Sequence, residues 1–322
     1  MRAVQVTRLD GPEALEINDV PAPQPAGHEV LVDVRRVGIS FPDLLLTKGQ
    51  YQLKPELPFI PGVDVAGAVA ADGNGFTAGQ RVAAVVPYGG AAEQVPVPAI
   101  FTFPLPDRLS FEQGAALPMN YLTAEFALTE RAGLRAGETV LVHGAAGGVG
   151  TATLQVAKGL GATTIGVVST EEKAAFATAA GADHTVTVDG FKEQVKELTD
   201  GKGVDVVLDV VGGDVFTDSL RSLAPQGRLL VVGFAAGQGI PEVKVNRLLL
   251  NNIDVRGVGW GEYAMKRPGY MQEQWQRLVP MMESGVITPP IGRTYPLEQF
   301  GQALIDMDNR LALGKSVVTV RE

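Results

Sequence analysis

"VLVHGAAGGVG", Val140–Gly150, is the stretch on which the fold turns. An apolar run breaks at Gly144 into a glycine-rich turn, and a helical pattern, "TATLQVAKGL" (151–160), follows it. Strand, glycine turn and helix in that order are the setting in which a turn cradles the phosphates of a dinucleotide. Gly147 lets the backbone approach a pyrophosphate, and Gly150 lets helix and strand pack closely. The helix N-terminus adds unpaired N–H groups and a partial positive charge. The backbone of Ala146, Gly147, Gly148, Val149 and Gly150 is therefore the candidate cradle. The strict fingerprint has glycine where Ala145 stands, so the match is incomplete, and a purely structural turn is the alternative.

Working outward, apolar strands alternate with helical patterns from about residue 121. The strands are "TVLVHG", "TTIGVVS", "HTVTV", "VDVVLDVV", "GRLLVVGF" and "NIDVRGVG"; the helices between them include "EEKAAFATAAG" and "FKEQVKELTDG". Several strands are apolar on both faces, as parallel strands covered by helices should be. This predicts an α/β fold with a doubly wound parallel sheet of the Rossmann type. The first third reads differently. "EVLVDVRRVGI", "DVAGAVAA" and "QRVAAVVP" are short β runs between turn clusters such as "APQPAG" and "DGNG", which predicts a small, mostly β, barrel-like domain. After Gly261, "YMQEQWQRLVPMMESG" reads as a helix and "KSVVTV" as a last strand. This tail is expected to fold back onto the N-terminal domain. The expected organisation is residues 1–120 with 262–322 as one domain, 121–261 as an inserted Rossmann domain, and a cleft between them.

Composition narrows the function. The chain has 322 residues, 45% hydrophobic and 20% charged, with a formal net charge of −9 and no basic run. Nucleic acid is not an expected partner, because binding it requires a basic patch. The absence of cysteine excludes disulfides and thiolate metal sites. Arg2, Arg8 and Asp10 interrupt the N-terminal stretch, so no signal peptide is read there. No apolar run is long enough for a bilayer, and the expected location is cytoplasmic.

The second strand ends at Ser169, 19 residues after Gly150, where an acidic residue would hold the ribose of a cofactor lacking the 2′-phosphate. Here the hydroxyl of Ser169 and the ammonium of Lys173, one helical turn on, suit a 2′-phosphate and favour NADPH over NADH. Two alternatives stay open. Ser169 and Glu172 have the S-x-x-E spacing of a capping box, and Glu171 or Glu172 has the reach for a ribose diol.

Several stretches together resemble a known family. "LSFEQGAALPMNYLTAEFAL", the turn and its flanks from Gly133 to Ala162, "AAGADHTV", "GISFPDLLLTKGQY", "PFIPGVDVAGAV" and "GKSVVTV" are similar to the medium-chain dehydrogenase/reductase superfamily. They most resemble its zinc-independent NADPH:quinone oxidoreductase family. The resemblance implies a GroES-like barrel beside the Rossmann domain. Zinc-dependent relatives carry a Cys, a His-Glu pair and a second Cys at positions that look like Ser40, Val63-Asp64 and Met119. Ser, Val and Met do not hold zinc, and His28, His143 and His184 lack ligand spacing, so no metal is expected.

The resemblance also implies a reaction: hydride transfer from NADPH to a quinone or similar electron-poor carbonyl acceptor. Two alternatives are reduction of the C=C bond of an enone, alkenal or enoyl thioester, and a non-catalytic NADPH-binding sensor or structural protein. The family's Asn, Asp and two Tyr around the first turn fall here on Ser40, Asp43, Leu45 and Tyr51, two of the four departing from the pattern. Ser40, Asp43 and Tyr51 are the candidate catalytic residues, with the Tyr51 phenol and Ser40 hydroxyl as donors to an oxygen gaining negative charge; a buried structural hydrogen-bond acceptor is the alternative for Asp43, and a ring half in the core the alternative for Tyr51. Gly233 and Phe234 would close over the cofactor, and Val258 and Gly259 would offer backbone groups to the carboxamide. Asn120 and Thr123 stand where the two domains join, with capping and packing as their alternative role. Val188 occupies a place where the family often has a tyrosine beside the adenosine. The resemblance further implies a homodimer paired through the "NIDVRGVG" edge strand.

Overall fold

The computed structural model describes residues 1–321. In chain order its strands are β1 (Arg2–Val6), β2 (Leu15–Asp19), β3 (Glu29–Gly38), β4 (Asp64–Val69), β5 (Arg81–Val85), β6 (Gln94–Pro98), β7 (Thr102–Pro104), β8 (Thr139–His143), β9 (Thr163–Val168), β10 (His184–Thr187), β11 (Val204–Asp209), β12 (Leu223–Val231), β13 (Asp254–Gly257), β14 (Ile291–Pro296) and β15 (Lys315–Thr319). The helices are α1 (Phe41–Thr47), α2 (Phe111–Gly114), α3 (Pro118–Phe126), α4 (Gly148–Gly159), α5 (Glu171–Ala179), α6 (Phe191–Leu198), α7 (Val215–Arg221), α8 (Asn246–Asn251), α9 (Trp260–Ala264), α10 (Tyr270–Ser284) and α11 (Phe300–Asp308).

The chain divides into two compact units. One comprises Met1–Met119, Pro268–Gln276 and the C-terminal stretch from Pro289; the other comprises Asn120–Arg267 and Arg277–Thr288. Residues 262–267 and 277–288, expected with the barrel, thus cluster with the Rossmann unit. Local packing gives the reason: Arg277 pairs with the buried Glu125 at 2.6 Å, and the Met281 side chain lies against Gly159 of α4.

In the second unit all strands run parallel in the order β10-β9-β8-β11-β12-β13. Numbered within the unit this is 3-2-1-4-5-6, the doubly wound order. The two central strands are apolar on both faces and wholly buried: Val140, Leu141 and Val142 in β8, and Val206, Val207 and Leu208 in β11. The strand order reverses between β8 and β11. A ligand of such a sheet sits outside the carboxyl ends of the strands at that reversal.

In the first unit β3 is the hub. Its start pairs with β6 and its end with β15, while β4 runs along its other side. The sheet order is β14-β15-β3-β4-β5-β7. Alternate residues Val30, Val32 and Val34 of β3 enter a core completed by Phe300 and Leu304 of α11 and Val318 of β15. The C-terminal tail therefore returns to the N-terminal sheet and supplies part of its interior.

Candidate functional site

Two constellations carry the chemistry-bearing residues, one in each unit. In the Rossmann unit β8 ends at His143, and Gly144 turns the chain with φ +62°. A side chain at Gly150 would run into the Gly144 carbonyl, so helix and strand approach as closely as the glycine spacing predicts. Gly144 rather than Ala145 makes the tight turn; Ala145 is wholly buried and lies opposite Gly166 of β9. Gly147 is the N-cap of α4 and supplies no side-chain cap. Four N–H groups at a helix start lack intrahelical partners. The half-exposed Gly147, Gly148 and Val149 leave this end open, while Ala146 and Gly150 are buried. The Asn120 amide packs against the first turn, with Nδ2 2.5 Å from where a Gly148 Cβ would stand. Thr123, on the same helix as Asn120, is buried.

The neighbouring strand end corrects one expectation. The N-cap of α5 is Thr170, not Ser169: the Thr170 hydroxyl accepts from Lys173 N–H at 3.2 Å. No Ser169–Glu172 capping box forms. Ser169, one residue earlier and exposed, accepts instead from Lys173 Nζ at 3.3 Å. The hydroxyl and ammonium thus stand together at the carboxyl end of β9. Glu171 and Glu172 are exposed in the first turn of α5. Past β12, Phe234 is exposed and lies over Gly212, beside the half-buried Gly233. Past β13, Val258 is buried and donates its N–H to Val231 O at 2.9 Å, and the exposed Gly259 caps α9. All of these positions follow the carboxyl ends of parallel strands.

Sequence reasoning did not single out Asp209, which ends β11. It is buried, and its Oδ1 accepts from Val211 and Gly212 N–H at 2.8 and 2.9 Å, shaping the turn beneath Phe234. His143 is structural. Its Nε2 lies 2.7 Å from Ser219 Oγ, and burial lowers its pKa to about 4.

The barrel unit holds a different arrangement. Ser40 is the N-cap of α1 and Asp43 its N3 partner. Asp43, expected among the catalytic residues, is completely buried, and both its oxygens are spent on backbone: Oδ2 accepts from Ser40 N–H at 3.0 Å and Oδ1 from Gly62 N–H at 2.8 Å. Burial pushes its pKa up to about 7 despite those bonds and the nearby Lys315.

Ser40 is also buried and committed. Its hydroxyl donates to Asp64 Oδ2 at 2.9 Å and accepts from Lys315 Nζ at 2.6 Å. Lys315 donates to Asp64 Oδ2 at 2.6 Å as well, and Met119 N–H donates to Asp64 Oδ1 at 2.8 Å. The positions matched to zinc ligands therefore do converge, but a lysine ammonium stands among them. Lys315 was legible only as a lysine opening an apolar strand, and Asp64 as an aspartate opening another. Among the described residues no group of His, Cys, Asp or Glu is arranged to hold a metal ion. Tyr51 is half-buried against Leu46, Phe59 and Val6. Burial and the Asp43 charge push its pKa up, so its phenol is a donor at neutral pH.

Comparison with known proteins agrees with this division. Residues 26–107 match the family model for the alcohol dehydrogenase GroES-like domain, and residues 148–284 the model for zinc-binding dehydrogenases. The chain is 38% identical to mouse quinone oxidoreductase-like protein 2 over 327 residues, covering 99% of this chain and 92% of that one. It belongs to the zinc-independent quinone oxidoreductase family of medium-chain dehydrogenases/reductases. Among solved structures, a probable oxidoreductase from Mycobacterium abscessus superposes with a TM-score of 0.91 at 42% identity, over 99% of both chains. Escherichia coli quinone oxidoreductase, solved in complex with NADPH, superposes with a TM-score of 0.89 at 30% identity, over 99% of this chain and 100% of that one. As a quinone oxidoreductase family member, the chain is an oxidoreductase with a Rossmann unit and a GroES-like unit. At the positions matched to zinc ligands, Ser40 and Asp64 bond Lys315, Met119 N–H bonds Asp64, and Val63 offers no side-chain ligand to the zinc named in the second family model.

Proposed function

We propose that this quinone oxidoreductase family member binds NADPH and reduces a quinone or a similar electron-poor carbonyl compound. The observation that carries the reading is the open N-terminus of α4 at the strand-order reversal, with Ser169 and Lys173 paired at the next strand end. The cradle fits a pyrophosphate. Gly147 carries no side chain to obstruct it, and the helix end presents N–H groups and positive charge. Ser169 and Lys173 fit a 2′-phosphate, which a hydroxyl and an ammonium recognise together. Bound there, NADPH supplies the hydride. Phe234, Gly233, Val258 and Gly259 border the nicotinamide, and Asn120 braces the turn.

The protein's own part is orientation and electrostatics. A quinone needs no strong protein acid, because its reduced oxygens take protons from water. Tyr51 and Ser40 are the hydroxyl donors to the oxygen that gains charge. The chain works as a homodimer through β13. That strand has an unpaired edge and follows α8, whose Leu249 and Leu250 are exposed. No helix among the described residues is long and apolar enough to cross a membrane.

The test is steady-state NADPH oxidation with a panel of quinones, enones and alkenals, with product analysis and light scattering. Quinone-dependent oxidation yielding hydroquinone supports the reading. Saturated carbonyl products point to C=C reduction, and NADPH binding without turnover on any acceptor points to a sensor.

A further inference from the structure

The cluster around Ser40 contains one hydrogen that it can spare. Asp64 Oδ2 accepts from both Lys315 Nζ and the Ser40 hydroxyl, and Oδ1 accepts from Met119 N–H. If the Ser40 hydrogen rotates away, Asp64 keeps a partner on each oxygen. Lys315 has no such freedom: without it the buried Asp64 would face no cation, with Asp43 close by. Meanwhile Lys315 donates into Ser40 Oγ at 2.6 Å. Such a charged donor polarises the O–H bond beyond it and strengthens its onward donation. The serine itself is 4% exposed. The next residue, Phe41, is 43% exposed, and Met119 is half-buried.

We infer that Lys315 is a positioning residue for acceptor reduction, acting through Ser40. The chain runs from Lys315 Nζ–H to Ser40 Oγ, and from Ser40 Oγ–H to the acceptor oxygen on which negative charge grows. No proton leaves Lys315; the hydrogen bonds stabilise the charge, and water supplies the proton that completes the product. A lysine ammonium, fixed by Asp64, thereby lends its positive charge to the reaction at positions where zinc-dependent relatives carry metal ligands. This inference rests on the NADPH-dependent reduction proposed above.

The experiment is a double-mutant cycle on turnover, with NADPH and a quinone that the wild-type chain reduces. One arm is Ser40→Ala. The other is Lys315→Met with Asp64→Asn, which removes both charges at once and leaves no lone buried ion. Each arm should lower kcat about tenfold, with the KM for NADPH within about twofold of wild type. Combined, they should lower kcat by no more than about twofold beyond Ser40→Ala alone, because the lysine has nothing left to act through. Ser40→Thr, which keeps a hydroxyl, should restore most of the rate. The inference is overturned if Ser40→Ala retains full kcat, if the paired replacement melts as wild type and retains full kcat, or if the two losses multiply. Should the paired replacement fail to fold, the contrast between Ser40→Ala and Ser40→Thr decides the point, equal rates sinking the relay. A wild-type chain that oxidises no NADPH with any acceptor overturns the proposed function and the inference together; an active wild type beside an unaffected Ser40→Ala overturns the inference alone.

Discussion

The turn at Gly144–Gly150 and the cluster at Ser40–Asp43–Asp64–Lys315 are both built around the start of a helix, and they solve opposite problems. The first leaves its polar groups open: glycine caps α4, and no side chain answers the helix N–H groups. The second closes every one it can: α1 begins with a full capping box, and the two carboxylates, the hydroxyl and the ammonium are bonded to one another or to backbone. An open helix end is a place for a ligand's charge. A closed, buried one has placed its own charges already, and its chemistry depends on which bond can be exchanged. The two regions should therefore respond to mutation in different currencies, binding in the first and stability in the second.

The largest expected effect is on the closed cluster. Lys315→Ala strands Asp64 as a buried charge without its partner, which typically costs ~3–5 kcal/mol. Thermal and denaturant unfolding should register that loss. An unaltered midpoint would mean that solvent reaches the cluster and that the contrast with the open turn is false.

Next comes the response to pH. Asp43 has its pKa raised to about 7 by burial, well above that of an unfolded carboxyl. Between the two values the folded chain holds the proton and the unfolded chain does not, so this group makes stability fall as pH rises through that window. The slope is at most about 1.4 kcal/mol per pH unit, and below the unfolded value the contribution is fully present. Melting curves from pH 5 to 8 should show the decline, and Asp43→Asn should flatten it even if it lowers the midpoint. A wild-type midpoint that rises across this range would contradict a raised Asp43 pKa.

In the open region the readout is affinity. Lys173→Ala should weaken NADPH binding about tenfold while NADH binding stays within about twofold, a charge-assisted bond being worth ~1.5–3 kcal/mol. Equal losses for both cofactors would detach Lys173 from the 2′-phosphate. The smallest effect belongs to Thr170. Removing this cap should cost ~1 kcal/mol of stability without altering the ratio of NADPH to NADH affinity. A changed ratio would mean that capping and phosphate binding are not separable at this strand end.

These neighbouring residues also show what a sequence makes legible. The strand, turn and helix from Thr139 to Gly159 are local, and their glycines announce the close packing that the structure contains. Ser169 and Thr170 are adjacent hydroxyls, either of which has the chemistry of a cap. Only the extended backbone at Thr170, φ −144°, decides between them. Helices α7 and α8 went unread because each spans too few residues to display a period. The bond from Lys315 to Asp64 joins residues 251 apart in the chain. No pattern along the sequence pairs a lysine in "GKSVVTV" with an aspartate in "PGVDVAG"; only the meeting of β15 and β4 on opposite sides of β3 does so.

That meeting sets an order of events during synthesis. β15 leaves the ribosome long after its partner β3. The Rossmann unit, Asn120 to Thr288 apart from Pro268–Gln276, is complete in the nascent chain before Lys315 exists. The barrel must wait, holding Asp64 wet and uncompensated, until β15 arrives to supply both a sheet neighbour and a cation. Domains that emerge whole fold as units, while pairings across a long stretch of chain form slowly. The nucleotide-binding half is thus made first and the half with the Ser40 cluster is sealed last, so a truncated product would lack that cluster however well its Rossmann sheet had formed.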